Sequence, residues 1–192
     1  MKKLRFSSML TLSVLLAQAV YLAAGALAQD GGLESKKIVP FVPTPQEVVE
    51  AMLELGQVKK GDVVYDLGSG EGRIVITAAK KYAARAVGFE IDPDLIGQSR
   101  EAIRKEGLEH LAEIREQDIL TVDVSPPTVV TLYLLPDVNL QIRPNLLNQL
   151  KPGSRVVSHA FSMGDWKPEK VIKVNGRTVY LWIIPERVAP KK

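Results

Sequence analysis

The stretch that most restricts what this chain can fold into is Val63-Val64-Tyr65-Asp66-Leu67-Gly68-Ser69-Gly70-Glu71-Gly72-Arg73. β-Branched and aromatic residues run up to an acid, three alternating glycines follow, and residues 73–82 have helical composition without a breaker. A buried strand that turns through glycines into a helix is a cradle for a nucleotide cofactor. Glycine removes the side chain that would hold a ligand off the backbone, and it tolerates φ > 0. The spacing is D-x-G-x-G-x-G, which departs from the dinucleotide pattern G-x-G-x-x-G because Arg73 stands at the sixth position. A pyrophosphate is an anion and suits bare N–H groups. S-adenosylmethionine instead carries a sulfonium and an amino acid, so Asp66 at the strand end can meet its ammonium while Gly68, Ser69 and Gly70 admit the methionine portion.

Strand and helix signals then alternate. Residues 86–90 read as a second strand ending in Glu90, which in a parallel sheet lands beside the glycine turn and can accept from both ribose hydroxyls. That role serves NAD as well as S-adenosylmethionine. A third strand, 113–118, ends in Asp118, placed to accept from an adenine amine, with Ile119 and Leu120 available to cover the ring. Residues 128–134 are nearly continuously apolar, as at the centre of a sheet covered on both faces. Residues 155–159 make a fifth strand, and 170–174 and 177–184 flank Asn175-Gly176, a strong hairpin signal. Among the helices, Thr44-Pro45-Gln46-Glu47 reads as a capping box opening a helix over 45–55. Asp92-Pro93 opens another that ends at Gly107, and Pro136 and Pro144 divide a helical region running to Leu150. The expectation is one α/β domain over 41–187 with a mostly parallel sheet and a terminal antiparallel hairpin, then a short tail, 188–192.

The first 28 residues stand apart. Lys2, Lys3 and Arg5 precede an apolar run from Phe6 to Leu27, and Ala26-Leu27-Ala28 is a pattern that a signal peptidase accepts. The run also approaches the length of a membrane span, so signal peptide and N-terminal anchor both stand as readings, with 29–40 as a linker. The positive end would place the following domain outside the cytoplasm. These residues hold three of the 25 basic groups and none of the 22 acidic ones, so the remainder carries 22 of each. Such neutrality argues against nucleic acid as a partner. The chain has no cysteine, hence no disulfide or thiolate metal site, and His110 and His159 make no metal-ligand spacing.

The motif Asp66–Gly72 resembles the first motif of the class I S-adenosylmethionine-dependent methyltransferases, which also finish with an antiparallel hairpin. Methyl transfer from a sulfonium is an in-line displacement, so positioning and electrostatics carry it and a dedicated base is not obligatory. Tyr133, after the fourth strand, is the candidate catalytic residue. Its ring could face an amine and its hydroxyl orient the lone pair, since an aromatic wall favours the growing positive charge. His159 and Asp165-Trp166 could line the same mouth, and Trp182 reads as core. Exocyclic-amine methyltransferases of nucleic acids often carry Asp/Asn-Pro-Pro-aromatic here. This chain has Thr131-Leu132-Tyr133-Leu134-Leu135-Pro136 instead.

Four phrases resemble the small membrane-associated protein-lysine methyltransferases, including those that modify the ATP synthase c-subunit and the adenine nucleotide translocase. They are 41–45 (FVPTP), 64–73, 128–136 (TVVTLYLLP) and 150–153 (LKPG). The resemblance implies a seven-stranded sheet, S-adenosylmethionine as donor, Thr44 closing over the donor, and a lysine as acceptor, with membrane association through the N-terminal segment. The expected function is therefore a methyltransferase acting on a lysine of a small membrane protein. The alternatives are a small-molecule methyltransferase, a membrane-tethered S-adenosylmethionine-binding module without turnover, and an NAD-binding protein.

Overall fold

The computed structural model describes residues 41–187, so the readings of 1–28 as leader or anchor, 29–40 as linker and 188–192 as tail lie outside the described residues. Seven strands form one sheet in the order β3-β2-β1-β4-β5-β7-β6. They are β1 (Val63–Leu67), β2 (Arg85–Glu90), β3 (Ala112–Glu116), β4 (Val129–Leu132), β5 (Arg155–His159), β6 (Lys170–Val174) and β7 (Arg177–Ile183). The first five are parallel. Strand β7 runs antiparallel to β5 and β6, pairing Ser158 with Tyr180 and Val171 with Tyr180. The chain reverses direction between β1 and β4 in the strand order, and ligands of open parallel sheets collect at that switch, beyond the carboxyl ends.

Helices α1 (Gln46–Leu55), α2 (Arg73–Tyr82), α3 (Pro93–Lys105) and α4 (Pro136–Gln149) cover the sheet. Side chains alternate across a strand, so Val64 and Asp66 point to the α1–α3 face and Tyr65 and Leu67 to the other. The first face buries Val48, Val49, Met52 and Leu53 of α1 with Val64, Val75, Val129 and Val157. The second buries Leu67, Phe89, Leu132, Ile142, Leu146 and Trp182, confirming Trp182 as core. Each such large apolar side chain contributes about 1.5–3 kcal/mol on burial, so Met52→Ala at the centre of α1 costs about 2–5 kcal/mol.

Local signals explain most boundaries. Asp92 caps α3 by accepting from the Asp94 N–H at 3.0 Å. Asn175 (φ 49°) and Gly176 (φ 79°) both sit at positive φ in the turn between β6 and β7, the condition of a type I′ hairpin. Four expectations change. No side chain caps α1, and Thr44 spends its hydroxyl on His159 instead, so the expected capping box is not formed. Strand β4 ends at Leu132, which leaves Tyr133 just beyond the sheet, and β3 ends at Glu116, which leaves Asp118 in the following loop. Helix α4 continues through Pro144 without dividing. The proline's missing N–H frees the carbonyl of Leu140, a residue on the exposed side of that helix.

Candidate active site

The donor side is built from three consecutive strand ends. Asp66 is buried on β1 and its Oδ1 accepts from the Thr131 hydroxyl of β4 at 2.7 Å. Burial pushes its carboxyl up to about 7; the Thr131 hydrogen bond opposes that shift and the charge of Glu90 adds to it. Such a carboxyl is poised to ionise when a cation arrives. The glycine turn does not offer its amides outward. Gly68 and Ser69 both donate to the Phe89 carbonyl (2.9 and 3.0 Å), Gly70 donates to Glu90 Oε2 (2.8 Å) and Gly72 to the Ser69 carbonyl (2.9 Å). An anion cradle needs those N–H groups free. Their internal use fits a donor without a pyrophosphate and separates this site from an NAD cradle.

Glu90 also accepts at Oε1 from Ile91 N–H (2.8 Å) and Asp92 N–H (3.0 Å), so it braces the turn against the end of β2. A carboxylate has about four acceptor positions, which leaves one for a ribose hydroxyl as the side chain stands. Asp118 lies at the neighbouring strand end, half-buried, and accepts from Leu120 N–H at 2.9 Å beside buried Ile119. The backbone of Gly70 has φ 54°, and a Cβ there would stand 2.5 Å from the Phe41 ring. A Cβ on Gly68 would stand 2.8 Å from Leu134. Ser69 Oγ is buried with no partner among the described residues. A floor of bare glycines, an unpaired buried hydroxyl and an acid facing the same turn fit S-adenosylmethionine. Asp66, Ser69, Gly68, Gly70, Glu90 and Asp118 are the residues that would hold it.

A second group, the candidate acceptor side, is made by side chains distant in sequence. Tyr133 packs against His159 with ring centroids 4.0 Å apart and planes tilted by 35°, and it faces Phe161 at 6.4 Å, nearly parallel at 19°. His159 is buried at the end of β5, and its Nδ1 shares a 3.3 Å hydrogen bond with Thr44 Oγ1. Burial, and then the positive charge of Arg177, hold the imidazole down to about 4, so it is neutral at physiological pH. Thr44 is fixed from its other end, where its carbonyl accepts from Arg73 Nη1 at 2.9 Å, while Arg73 also pairs with Glu71. The segment 41–44 therefore joins the glycine turn to the aromatic group.

Phe161 escaped the sequence reading. It reaches Tyr133 because Ala160 adopts φ 65° and the Phe161 N–H closes back on the His159 carbonyl at 2.8 Å, a tight three-residue turn of the strained, positive-φ kind. Buried Asn139 of α4 steadies it by donating to the carbonyls of Phe161 (3.4 Å) and Ser162 (3.3 Å). Neither Thr131 as partner of Asp66 nor Asn139 was anticipated; a polar residue within an otherwise apolar strand was the available signal for the first. Asp165 and Trp166 do not join this group. Asp165 pairs with Arg143, and Trp166 packs on Trp182 with centroids 5.7 Å apart while its carbonyl accepts from Trp182 Nε1 at 2.8 Å.

A seven-stranded sheet in this order, with a donor site at the β1–β4 switch, defines an S-adenosylmethionine-dependent methyltransferase of class I architecture. Residues 66–170 match the ANTKMT methyltransferase domain, and the chain belongs to that family. A protein-lysine N-methyltransferase of Saccharolobus islandicus is 48% identical over 153 residues, 77% of this chain and 95% of that protein. The human lysine N-methyltransferase of the ATP synthase c-subunit is 33% identical over 147 residues; the match covers 77% of this chain but 62% of that protein's length. Among solved structures, an RNA methyltransferase from Salinibacter ruber in complex with S-adenosyl-L-homocysteine is 53% identical. It has a TM-score of 0.75, covering 78% of this chain and 98% of the other.

Proposed function

We propose that this methyltransferase N-methylates a lysine side chain, with a small membrane protein as the physiological acceptor. The observation that carries the proposal is the Tyr133–His159–Phe161 wall beside the glycine turn. The donor supplies an electrophilic methyl on a positively charged sulfur. The chain's own residues must then bring a neutral amine in line, exclude competing water and accommodate the cation that results. Tyr133 and Phe161 offer ring faces to a methylated ammonium. His159 is held neutral, so it adds no charge opposing that cation, and through Thr44 it ties the wall to the segment crossing the donor site. Exclusion of water by these rings also favours the uncharged lysine over its ammonium form.

Lysine as acceptor is supported by the names of the archaeal and human relatives, and a membrane acceptor by the human one together with the apolar run at 6–27. The description of the Salinibacter relative as an RNA methyltransferase favours a second reading, RNA as acceptor. Equal numbers of acidic and basic groups beyond residue 28 weigh against it, because RNA binding rests on a basic surplus. Incubation with methyl-labelled S-adenosylmethionine, membrane protein and total RNA, followed by identification of the labelled species, decides between them. Trimethyl-, dimethyl- or monomethyl-lysine in a small membrane protein is the expected product. Label in RNA, or only in soluble metabolites, would reject the lysine reading.

A further inference from the structure

Large apolar side chains left in water are unevenly distributed. Six are exposed among the described residues, and four stand on segments at the carboxyl ends of the parallel strands: Phe41 (42%), Val42 (54%), Leu135 (39%) and Leu140 (43%). Phe41 packs on the turn after β1, Leu135 stands three residues past β4, and Leu140 of α4 rests against Gly164 in the segment after β5. The other two lie elsewhere. Ile183 pairs with Arg155 at the start of β5, hence at the opposite edge, and Val171, level with Ser158 through Tyr180, is set aside on the outermost strand, β6, two strands from β5. Turns at the amino edge expose Lys59, Lys60, Asp123 and Lys151 without large apolar side chains, whereas at the carboxyl edge the exposed Asp94, Asp137 and Asp165 are interleaved with the apolar set.

We propose that the rim of Phe41, Val42, Leu135 and Leu140 seats on a lipid bilayer, so that the active-site mouth faces the membrane surface. Scattered exposed apolar residues need no explanation, but a set gathered around one functional opening marks an interaction surface. The chain preceding the rim identifies lipid as the occupant. The apolar run at 6–27 is separated from Phe41 by 13 residues, a span of at most about 47 Å at 3.3–3.6 Å per residue. A bilayer holding that run is within reach of the rim. The approach to the rim is Lys36-Lys37-Ile38-Val39-Pro40-Phe41-Val42, a basic pair followed by apolar residues, the composition that suits an anionic headgroup layer above acyl chains. Arg73 pins the Thr44 carbonyl, so Phe41 and Val42 are presented from a fixed point rather than from a free tail. The inference rests on the membrane reading above but is independent of whether lysine is the acceptor.

The chain lacks cysteine, so a single introduced thiol can carry an environment-sensitive fluorophore. Full-length Val42→Cys, Leu135→Cys, Leu140→Cys, Val171→Cys and Ile183→Cys variants would each be labelled and bound to phosphatidylcholine–phosphatidylglycerol vesicles. An unchanged circular dichroism spectrum and melting temperature identify the folded variants. Labels at 42, 135 and 140 should shift to the blue and lose emission when nitroxide lipids are included, while those at 171 and 183 should not change. Rim labels that stay water-exposed on vesicle-bound protein would overturn the proposal, as would equal quenching at all five positions. A rim label that responds only when an apolar acceptor protein is added would also overturn it in favour of a protein occupant. No acceptor is needed for the lipid readout, so its failure is separable from failure of the lysine assignment.

Discussion

The two halves of the site are made in different ways. On the donor half, Asp66, Gly68, Gly70, Glu90 and Asp118 lie at or just beyond the ends of three consecutive strands, and most of their hydrogen bonds run to backbone groups of the same turns. On the acceptor half, Thr44, Tyr133 and the His159–Phe161 turn come from three separate segments and meet through rings and one shared hydrogen bond. A backbone-built half tolerates few substitutions, because what it presents is a chain path. A side-chain-built half can change its acceptor by exchanging a ring. Relatives described as acting on a protein and on RNA are compatible with that division.

The largest expected effect comes from removing the acid of the donor half. Asp66→Ala deletes a charge-assisted contact of about 1.5–3 kcal/mol and should weaken S-adenosylmethionine binding roughly 10- to 100-fold by calorimetry. If acceptor KM moved as much while donor affinity held, the two halves would have been drawn wrongly. Next, Tyr133→Ala should lower kcat/KM for the acceptor by up to about 30-fold, the worth of a desolvated cation–ring contact near 2 kcal/mol, with donor Kd unchanged. Tyr133→Phe should recover whatever part belongs to the ring rather than the hydroxyl.

pH sharpens the comparison further. Folded Asp66 titrates at about 7, above an unfolded value near 3.9, so its contribution to stability is full at low pH and falls as pH rises towards 7. Folded His159 titrates at about 4, below an unfolded value near 6.5, so its contribution is full above 6.5 and is lost as pH falls towards 4. The two windows overlap with opposite signs. Between pH 4 and 6.5 melting temperatures should therefore rise with pH more steeply in Asp66→Asn than in the wild type, and fall with rising pH in His159→Gln. Added S-adenosylmethionine should stabilise the wild type more at pH 8 than at pH 6, since its ammonium favours ionised Asp66. The smallest effect belongs outside both halves. Asn175→Ala strains a residue at φ 49° and should cost about 1–2 kcal/mol in chemical denaturation, with donor and acceptor kinetics intact.

The donor half was legible because its signals are local. Acid, glycines and helix stand within eight residues from Asp66 to Arg73, and alternating strand and helix carry Glu90 and Asp118 to adjoining strand ends. Tyr133 and Thr44 could be singled out, but their setting could not. Thr44 reads as a helix cap from its neighbours, and only the fold brings His159, 115 residues away, within reach of its hydroxyl. Phe161 carried no local signal, because the positive φ of Ala160 is imposed by the pairing of β5 with β7 and by Asn139 rather than preferred by alanine.

The order of apolar, acidic and glycine residues by itself determined the parallel sheet, its closing hairpin and the kind of donor, since period, turn chemistry and strand-end position act over a few residues. Tertiary structure alone decided that the glycine amides are spent internally and that Asp66 is buried against Thr131. It also decided that Tyr133, His159, Phe161 and Thr44 form one wall. Those facts depend on desolvation and on contacts between distant strands, which exist only once the sheet has closed the distance.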